Sequence, residues 1–489
     1  MNTFKSGLVH HIISAMRGFA SSDPAPPRAA NKAKAGKKTV VMALSFASLR
    51  PNAPLLVFGQ TVFARKQNAK VIHNSNNSQE EQTQMKLNQW TLGLAAAGVI
   101  SFGAVAQADE KPSHQVLTAV SSTALSGYVS TSAHWNPGTA AGAPGYSYGG
   151  AKNDGFNLNV VDITISKPLD EGEWAAGYTA ELWMGPDAAG LGNVTGGSSL
   201  AIKQANVALN APVGNGIVFK MGIFDCPVGY EAANATDNPN YTRSYGYTVE
   251  PTSLTGLLAT YKVCESFSVT AVIANELAAT VNGRASGVQS QKTYCLAGTV
   301  TAPDSWGFLK GAAVTAGAID GISTGLANAG VAPDATLIYL GATIPTPWET
   351  LKVGASWDHV NLAGNTLTGK IGDTDSFALY TSFSGIEKLK INTRLEYYDN
   401  NTGIVALGGP GVVPGNGAAS GNAKAEILAA TLTLDYSLWA NVITRLEYRW
   451  DHDLSAGRNL PGNANSGAVP ATAGNNNAQL IALNVIYKF

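Results

Sequence analysis

Downstream of Ala108 the chain repeats one pattern. Short stretches alternate apolar and polar residues with period two, are rich in Val, Ile, Thr, Tyr and Leu, and are bounded by Gly, Asn, Pro or Asp. Such alternation puts successive side chains on opposite faces of an extended strand. It predicts strands at 124–136, 155–167, 173–185, 200–211, 216–226, 251–263, 267–279 and 292–302. It predicts others at 308–320, 334–345, 351–361, 373–384, 389–400, 423–436, 441–452 and 477–489. No amphipathic helix interrupts them, and no apolar run reaches the roughly 18 residues of a membrane-spanning helix.

The connections sort by length. PLDEGE, PVGN, CES, APDSWG, PTPWET, SGIEK and SLWA are short, and each is followed or preceded by a longer one. The long class includes GTAAGAPGYSYGGAKND, TGIVALGGPGVVPGNGAASGN and LSAGRNLPGNANSGAVPATAGN. An outer-membrane barrel has short periplasmic turns and long external loops, whereas a soluble sandwich or propeller has no reason to sort its connections. The expected fold is therefore all-β: a transmembrane antiparallel up-and-down β-barrel of about sixteen strands, with both termini at the short-turn end. Closure leaves no unpaired strand edge in the bilayer.

Side-chain alternation tells what faces where. In ITRLEYRWDH, Arg445, Glu447, Arg449 and Asp451 share one face, and Thr444, Leu446, Tyr448 and Trp450 the other. In LKINTRLEYYDN, Lys390, Asn392, Arg394 and Glu396 oppose Leu389, Ile391, Leu395 and Tyr397. A charged face behind an apolar-aromatic one fits a polar lumen and a lipid-facing exterior, with Tyr and Trp at the interfaces. Within GFNLNVVDITIS the alternation slips at Val160-Val161, which a bulge would absorb. The last strand carries Ile481, Leu483, Val485 and Tyr487 on one face and ends on Phe489; Tyr487 and Phe489 are the candidate signal for barrel-assembly machinery.

Charge separates the start of the chain from the rest. Residues 1–84 hold 11 Lys+Arg and 3 Asp+Glu, a net of +8, while the part after Ala108 nets −10. Between them MKLNQWTLGLAAAGVISFGAVAQADE has the basic start, apolar run and small-x-small site of a secretory signal. Cleavage is expected after Ala108, with Ala106 and Ala108 as the small residues and Asp109 as the new N-terminus. The expectation is that translation begins at Met85, so that 1–84 is a spurious extension; a long presequence or a small N-terminal domain is the alternative. The organisation is then 85–108 signal peptide, 109–123 periplasmic lead and 124–489 barrel. Export leads to an oxidising compartment, but Cys226, Cys264 and Cys295 lack metal spacing. Cys226 and Cys264 fall at opposite ends of neighbouring strands, and the cysteines read as small apolar residues.

Several stretches carry a resemblance: FNLNVVDITISKPLDEGEWAAGYTAELWMGPDA, IKQANVALNAPVGNGIVFKMGIFD and NPNYTRSYGYTVEPTSLTGLLATY. They resemble the outer-membrane β-barrel porins of the OmpL-like group, over about Leu125 to Phe489 and none of 1–84. The resemblance implies a barrel and passive permeation of small hydrophilic solutes and ions, without naming a substrate. Cys226 and Cys264 depart from it, standing where aliphatic or polar residues are expected.

The third external loop, 227–250, holds four tyrosines and few glycines, so it should keep a shape. In general porins the third loop enters the lumen, and this one is similar in position. Glu231, Asp237 and Glu250, with Tyr241 and Tyr245, are the candidate constriction. Lys220, Arg394, Arg445, Glu447 and Arg449 are the wall candidates, the cations set opposite the acids across a water-filled slot. An external loop stapled to the rim by its tyrosines is the plainer reading. A net of −10 predicts a mild cation preference.

Two other classes remain open: a barrel lipase or protease, and a structural or adhesive barrel with a plugged lumen. The exported part has four histidines, His114, His134, His359 and His452, the last two on lipid-facing registers. There is no G-x-S-x-G or H-E-x-x-H motif, and no catalytic group, metal or cofactor is expected. Small inward residues such as Gly354, Ser356 and Gly222 argue for room for water rather than a plug. Outer-membrane lipid and the assembly machinery are the expected partners, with no nucleic acid. A homotrimer is compatible with sixteen strands, and no sequence feature requires it.

Overall fold

The computed structural model describes residues 116–117, 122–137, 152, 154–190, 199–277, 281–284, 290–322, 334–363, 370–401, 425–455 and 477–489. Residues 1–84, the signal with Ala106, Ala108 and Asp109, and His114 lie outside the described residues, as does much of the long-loop sequence.

Sixteen strands form the barrel. The first eight are β1 (Ala124–Trp135), β2 (Gly155–Lys167), β3 (Ala175–Met184), β4 (Leu200–Ala211), β5 (Ile217–Asp225), β6 (Ser253–Cys264), β7 (Phe267–Ala274) and β8 (Thr293–Thr301). The rest are β9 (Ala313–Ile322), β10 (Asp334–Pro345), β11 (Leu351–Ala363), β12 (Lys370–Ile386), β13 (Leu389–Asn400), β14 (Ala425–Tyr436), β15 (Val442–Asp453) and β16 (Asn477–Lys488). Each pairs antiparallel with its sequence neighbours, and Val116–Leu117 pairs with the start of β1. β16 returns to β1, from Ile481 opposite Trp135 to Lys488 opposite Tyr128. At this seam the N–H groups of Gly127 and Phe489 each donate to the other's carbonyl at 3.0 Å. Gly127 is required there, because a Cβ would strike the Asp162 carbonyl oxygen and lie 2.9 Å from Phe489 Cζ.

Every predicted strand has its counterpart, with two clear shifts; the strand expected over 267–279 ends at Ala274. The strand expected from Phe308 begins late: Phe308 and Leu309 still belong to the preceding connection, which forms a 3-10 turn, Asp304–Leu309, in which Gly307 has φ 61°. β9 starts only at Ala313. Trp306 joins Trp174, Trp348 and Trp439 as exposed indoles in turns at the short-turn end, a girdle of the kind that marks an interface.

The slip in β2 is a bulge. Ser130 pairs with Val160 and Thr131 with Leu158, so Asn159 is the extra residue and both Asn159 and Val160 turn inward. A second bulge, not anticipated, leaves Lys203 unpaired between Glu181–Gln204 and Leu182–Ile202. It aims the Lys203 ammonium inward, 2.5 Å from Asp225.

The polar-inside rule holds on β13 and β15, where Arg394 is fully buried and Leu395 is 55% exposed on the outer face. It fails along β6–β11. There Leu254, Leu258, Val272, Cys295, Ile319, Leu337, Val360 and Leu362 turn inward and form one buried apolar cluster. Toward the short-turn end the same wall becomes polar, with Thr260 bonded to Thr270 at 3.0 Å and Thr299 to Thr315 at 2.9 Å. The apolar half meets protein rather than water.

Candidate functional site: a segment folded into the barrel

What it meets is the connection between β5 and β6. No residue from 226 to 252 is exposed. The segment leaves the wall where the Cys226 N–H donates to the Thr252 carbonyl at 3.2 Å. It contains a 3-10 turn, Ala235–Asp237, and a short helix α1 (Tyr245–Val249). Ser244 caps α1, its Oγ accepting from the Tyr247 N–H at 3.0 Å.

Apolar residues of the segment face three sides of the barrel. Val228, Tyr245 and Val249 join the β6–β11 cluster. Ala233 and Tyr247 join Tyr128, Val160, Trp183 and Ile486, and Tyr241 packs with Leu480 and Ala482. Burying such side chains is worth about 1.5–3 kcal/mol each, which gives the chain reason to turn inward rather than extend into water.

Polar groups fix its register against β13–β15. Glu447 accepts from the Tyr241 N–H at 2.6 Å, the Thr242 N–H at 2.9 Å, Thr242 Oγ1 at 2.6 Å and Thr433 Oγ1 at 2.7 Å. Arg394 pairs with Glu231 at 2.8 Å and Glu396 at 2.6 Å, and donates to the Thr242 carbonyl at 2.8 Å. Arg445 donates to the carbonyls of Asn238 at 2.6 Å and Ala235 at 2.9 Å. Arg449 donates to the Arg243 carbonyl at 2.6 Å, pairs with Asp451 at 2.9 Å, and lies 5.0 Å from the Tyr245 ring. A guanidinium removed from water needs acceptors for a fork of five donors; here loop carbonyls supply much of that need.

The acids and arginines therefore do not face one another across a slot. Glu231 touches Arg394 directly, and the loop backbone covers Arg394, Arg445, Glu447 and Arg449. A buried cation gains more from direct acceptors than from a partner beyond water. Tyr241 and Tyr245 do belong to this contact. Tyr241 Oη donates to Ser132 Oγ at 3.1 Å, and Tyr245 Oη to Asp451 Oδ1 at 2.9 Å. Burial pushes both phenols above their ordinary pKa, and the Asp451 charge adds to the effect on Tyr245.

Three predicted residues stand apart from the arginines. Asp237 lies in the 3-10 turn, accepts from Thr236 Oγ1 at 3.1 Å, and is raised by burial. Lys220 turns inward from β5, half-buried, and makes none of these contacts. Glu250 ends α1, and burial followed by the charge of Asp358 on β11 holds it well above the usual carboxylate range. Asp358 was missed in the sequence; its register, shared with Gly354 and Ser356, was the available signal.

The place inward of Gly354 holds a loop side chain, not open space. A Cβ on Gly354 would overlap the Tyr230 hydroxyl, whose ring stacks on Tyr380 at 4.1 Å. Gly222, at φ +130°, sits where a Cβ would strike the Ala205 carbonyl oxygen. Gly354→Val is expected to push Tyr230 from its stack and lower stability by about 1–3 kcal/mol. Ala355→Val, one residue along and outward, should be near neutral. Urea unfolding followed by heat-modifiable gel mobility compares the two.

The histidines are dispersed. His359 Nδ1 lies 3.0 Å from Asp375 and His452 Nδ1 2.8 Å from Asn477, both on the outward register. His134 turns inward, edge-on to Tyr241 at 6.3 Å. Among the described residues no group of three or more His, Cys, Asp or Glu is placed to hold a metal ion, and the three cysteines are free thiols.

A closed sixteen-stranded antiparallel barrel with its third long connection folded inside is porin architecture. The chain belongs to the family described as "Putative beta-barrel porin-2, OmpL-like", which matches residues 122–489. Among solved structures it is similar to an anion-selective porin from Comamonas acidovorans, at 15% identity and TM-score 0.50, covering 75% of this chain and 99% of that one. It is also similar to OmpF of Salmonella typhi, solved with daunomycin, at 14% identity and TM-score 0.48, covering 77% and 100%. The outer membrane channel DcaP of Acinetobacter baumannii is similar at 12% identity and TM-score 0.48, covering 75% and 97%. No curated protein matches by sequence.

Proposed function

We propose that residues 109–489 form an outer-membrane porin, a passive channel for small hydrophilic solutes and ions, with 227–250 setting its narrowest section. The observation that carries this reading is the segment itself: it lies inside the barrel and is bonded to Arg394, Arg445, Glu447 and Arg449 on the wall. Its apolar residues pack against three sides of the wall, so the free path beside it is narrow. The net of −10 after Ala108 favours cations weakly, because fixed charge enriches counter-ions in a confined aqueous path. The outward aromatic face of β16, ending in Tyr487 and Phe489, supports recognition by assembly machinery, and outer-membrane lipid surrounds the barrel.

The test is planar-bilayer conductance of the refolded 109–489 chain. Stepwise unitary currents with a reversal potential on the cation side of zero in a salt gradient are expected. Replacing 229–249 with a short Gly-Ser linker should raise the unit conductance several-fold. Electrically silent membranes would overturn the channel, and an anion-side reversal potential would overturn the preference.

A further inference from the structure

At the far end of the in-folded segment two carboxyl groups meet. Glu250 is the residue that ends α1 and is 4% exposed; Asp358 projects inward from β11 and is fully buried. Two glycines make the approach feasible. A Cβ on Gly246 would strike Asp358 Oδ2, and one on Gly229 would strike Glu250 Oε2. Neither oxygen of Asp358 has a hydrogen-bond donor. The group that faces it is the Glu250 carboxyl. Two carboxylates in contact cannot both ionise in a water-poor site, whereas one proton between them makes a strong hydrogen bond.

The surroundings do not neutralise a second negative charge. Glu231 adds its own, and its partner Arg394 is already engaged by Glu231 and Glu396. Tyr339 on β10, with Tyr230 and Cys226 of the segment, faces the pair and brings no positive charge. From β12, Ser376 lies beside Gly246, and Tyr380 stacks on Tyr230. A cavity of about 60 Å³ lined by Cys226, Gly229, Glu231, Tyr247, Glu250 and Thr315 lies against Glu250. It has room for a water or two that could carry the proton in and out.

We propose that Glu250 and Asp358 share one proton, and that this proton latches the α1 end of the segment to β11, so that the channel widens when the proton is lost. The inference rests on the reading of 227–250 as the narrowest section. The sign follows from linkage. Docking raises the carboxyl's affinity for its proton, so the latch is at full strength below the ordinary carboxylate pKa and weakens as pH rises through the raised value. Arg445 on β15 keeps the Asn238 and Ala235 carbonyls, and the part that lifts runs from Arg243 through α1, giving up the bonds of the Arg243 carbonyl to Arg394 and Arg449.

Two readouts separate the latch from the channel. The first is unit conductance of the refolded barrel from about pH 6 to about pH 9, for wild type, Asp358→Asn and Glu250→Gln. The second is trypsin cleavage after Arg243, the one Lys or Arg between 226 and 252, followed by mass spectrometry and normalised to a control peptide at each pH. Wild-type conductance and Arg243 cleavage should both rise with pH. The cleavage rise should be about tenfold, the factor that one unit of pKa represents. An amide at either position keeps its proton at every pH, so both variants should give flat profiles near the low-pH value. Equal pH dependence in wild type and variants, or a flat wild type, overturns the latch. Silent membranes with a pH-dependent Arg243 cut lost in both variants would leave the latch standing and overturn the channel reading instead.

Discussion

Replacing Arg394 and Arg449 together by alanine is expected to raise unit conductance several-fold and open Arg243 to trypsin. Both guanidinium groups are fully buried between wall and segment. Their removal strands Glu231, Glu396 and Asp451, each now an acid without its cation. Breaking a buried pair from one side costs about 3–5 kcal/mol. Moving the segment into water relieves Glu231 and rehydrates the carbonyls of Thr242 and Arg243. The strands keep their ladder, so barrel and current should survive while the constriction does not. Arg394→Lys should recover only part of the closure, because a point charge cannot reach Glu231, Glu396 and the Thr242 carbonyl as a planar fork does. A folded double variant with wild-type conductance would show that the segment is held elsewhere.

The second large effect falls at the seam. Gly127→Leu is expected to destabilise the barrel by about 3 kcal/mol or more, and to lower the yield of heat-modifiable folded band on refolding into detergent. The obstruction is backbone: the new Cβ meets the Asp162 carbonyl, which no rotamer can move, and then the Phe489 ring. Displacing that ring threatens the paired Gly127–Phe489 bonds, and an open edge in a bilayer leaves N–H and C=O groups without partners. Ser126→Leu, next along β1 and not at this crossing, is the control for bulk alone. Normal folding of Gly127→Leu would mean the seam has slack that the geometry denies.

Strand positions were legible because alternation is a local signal. TRLEY in β13 and β15 carries charge and grease on opposite faces within five residues, and the structure keeps that division. The β2 bulge could be located to within a residue from the pair of adjacent inward side chains. The start of β9 was misplaced: APDSWG read as a turn ending at Gly307, but the turn runs on through the apolar Phe308 and Leu309, which suit a strand as well as a turn, and β9 begins at Ala313. The site was far less legible. That Glu231 meets Arg394, or that Glu250 meets Asp358, depends on where a segment folds across a barrel more than 100 residues later in the chain. The sequence offered charge signs and inward registers, which suited facing rows as well as direct contact. Gly354 read as vacancy because a missing side chain looks the same whether water or Tyr230 fills the place.

The bonds from Tyr241–Tyr245 to β13–β15 join residues 151 to 207 positions apart. Until the later strands exist these residues have no acceptors to find, so the segment must wait, greasy and unmatched, while more than a third of the chain is made. Docking is accordingly the closing act of maturation rather than its nucleus. A newly shut cylinder would pass through a leaky juvenile form before it acquires its adult bore.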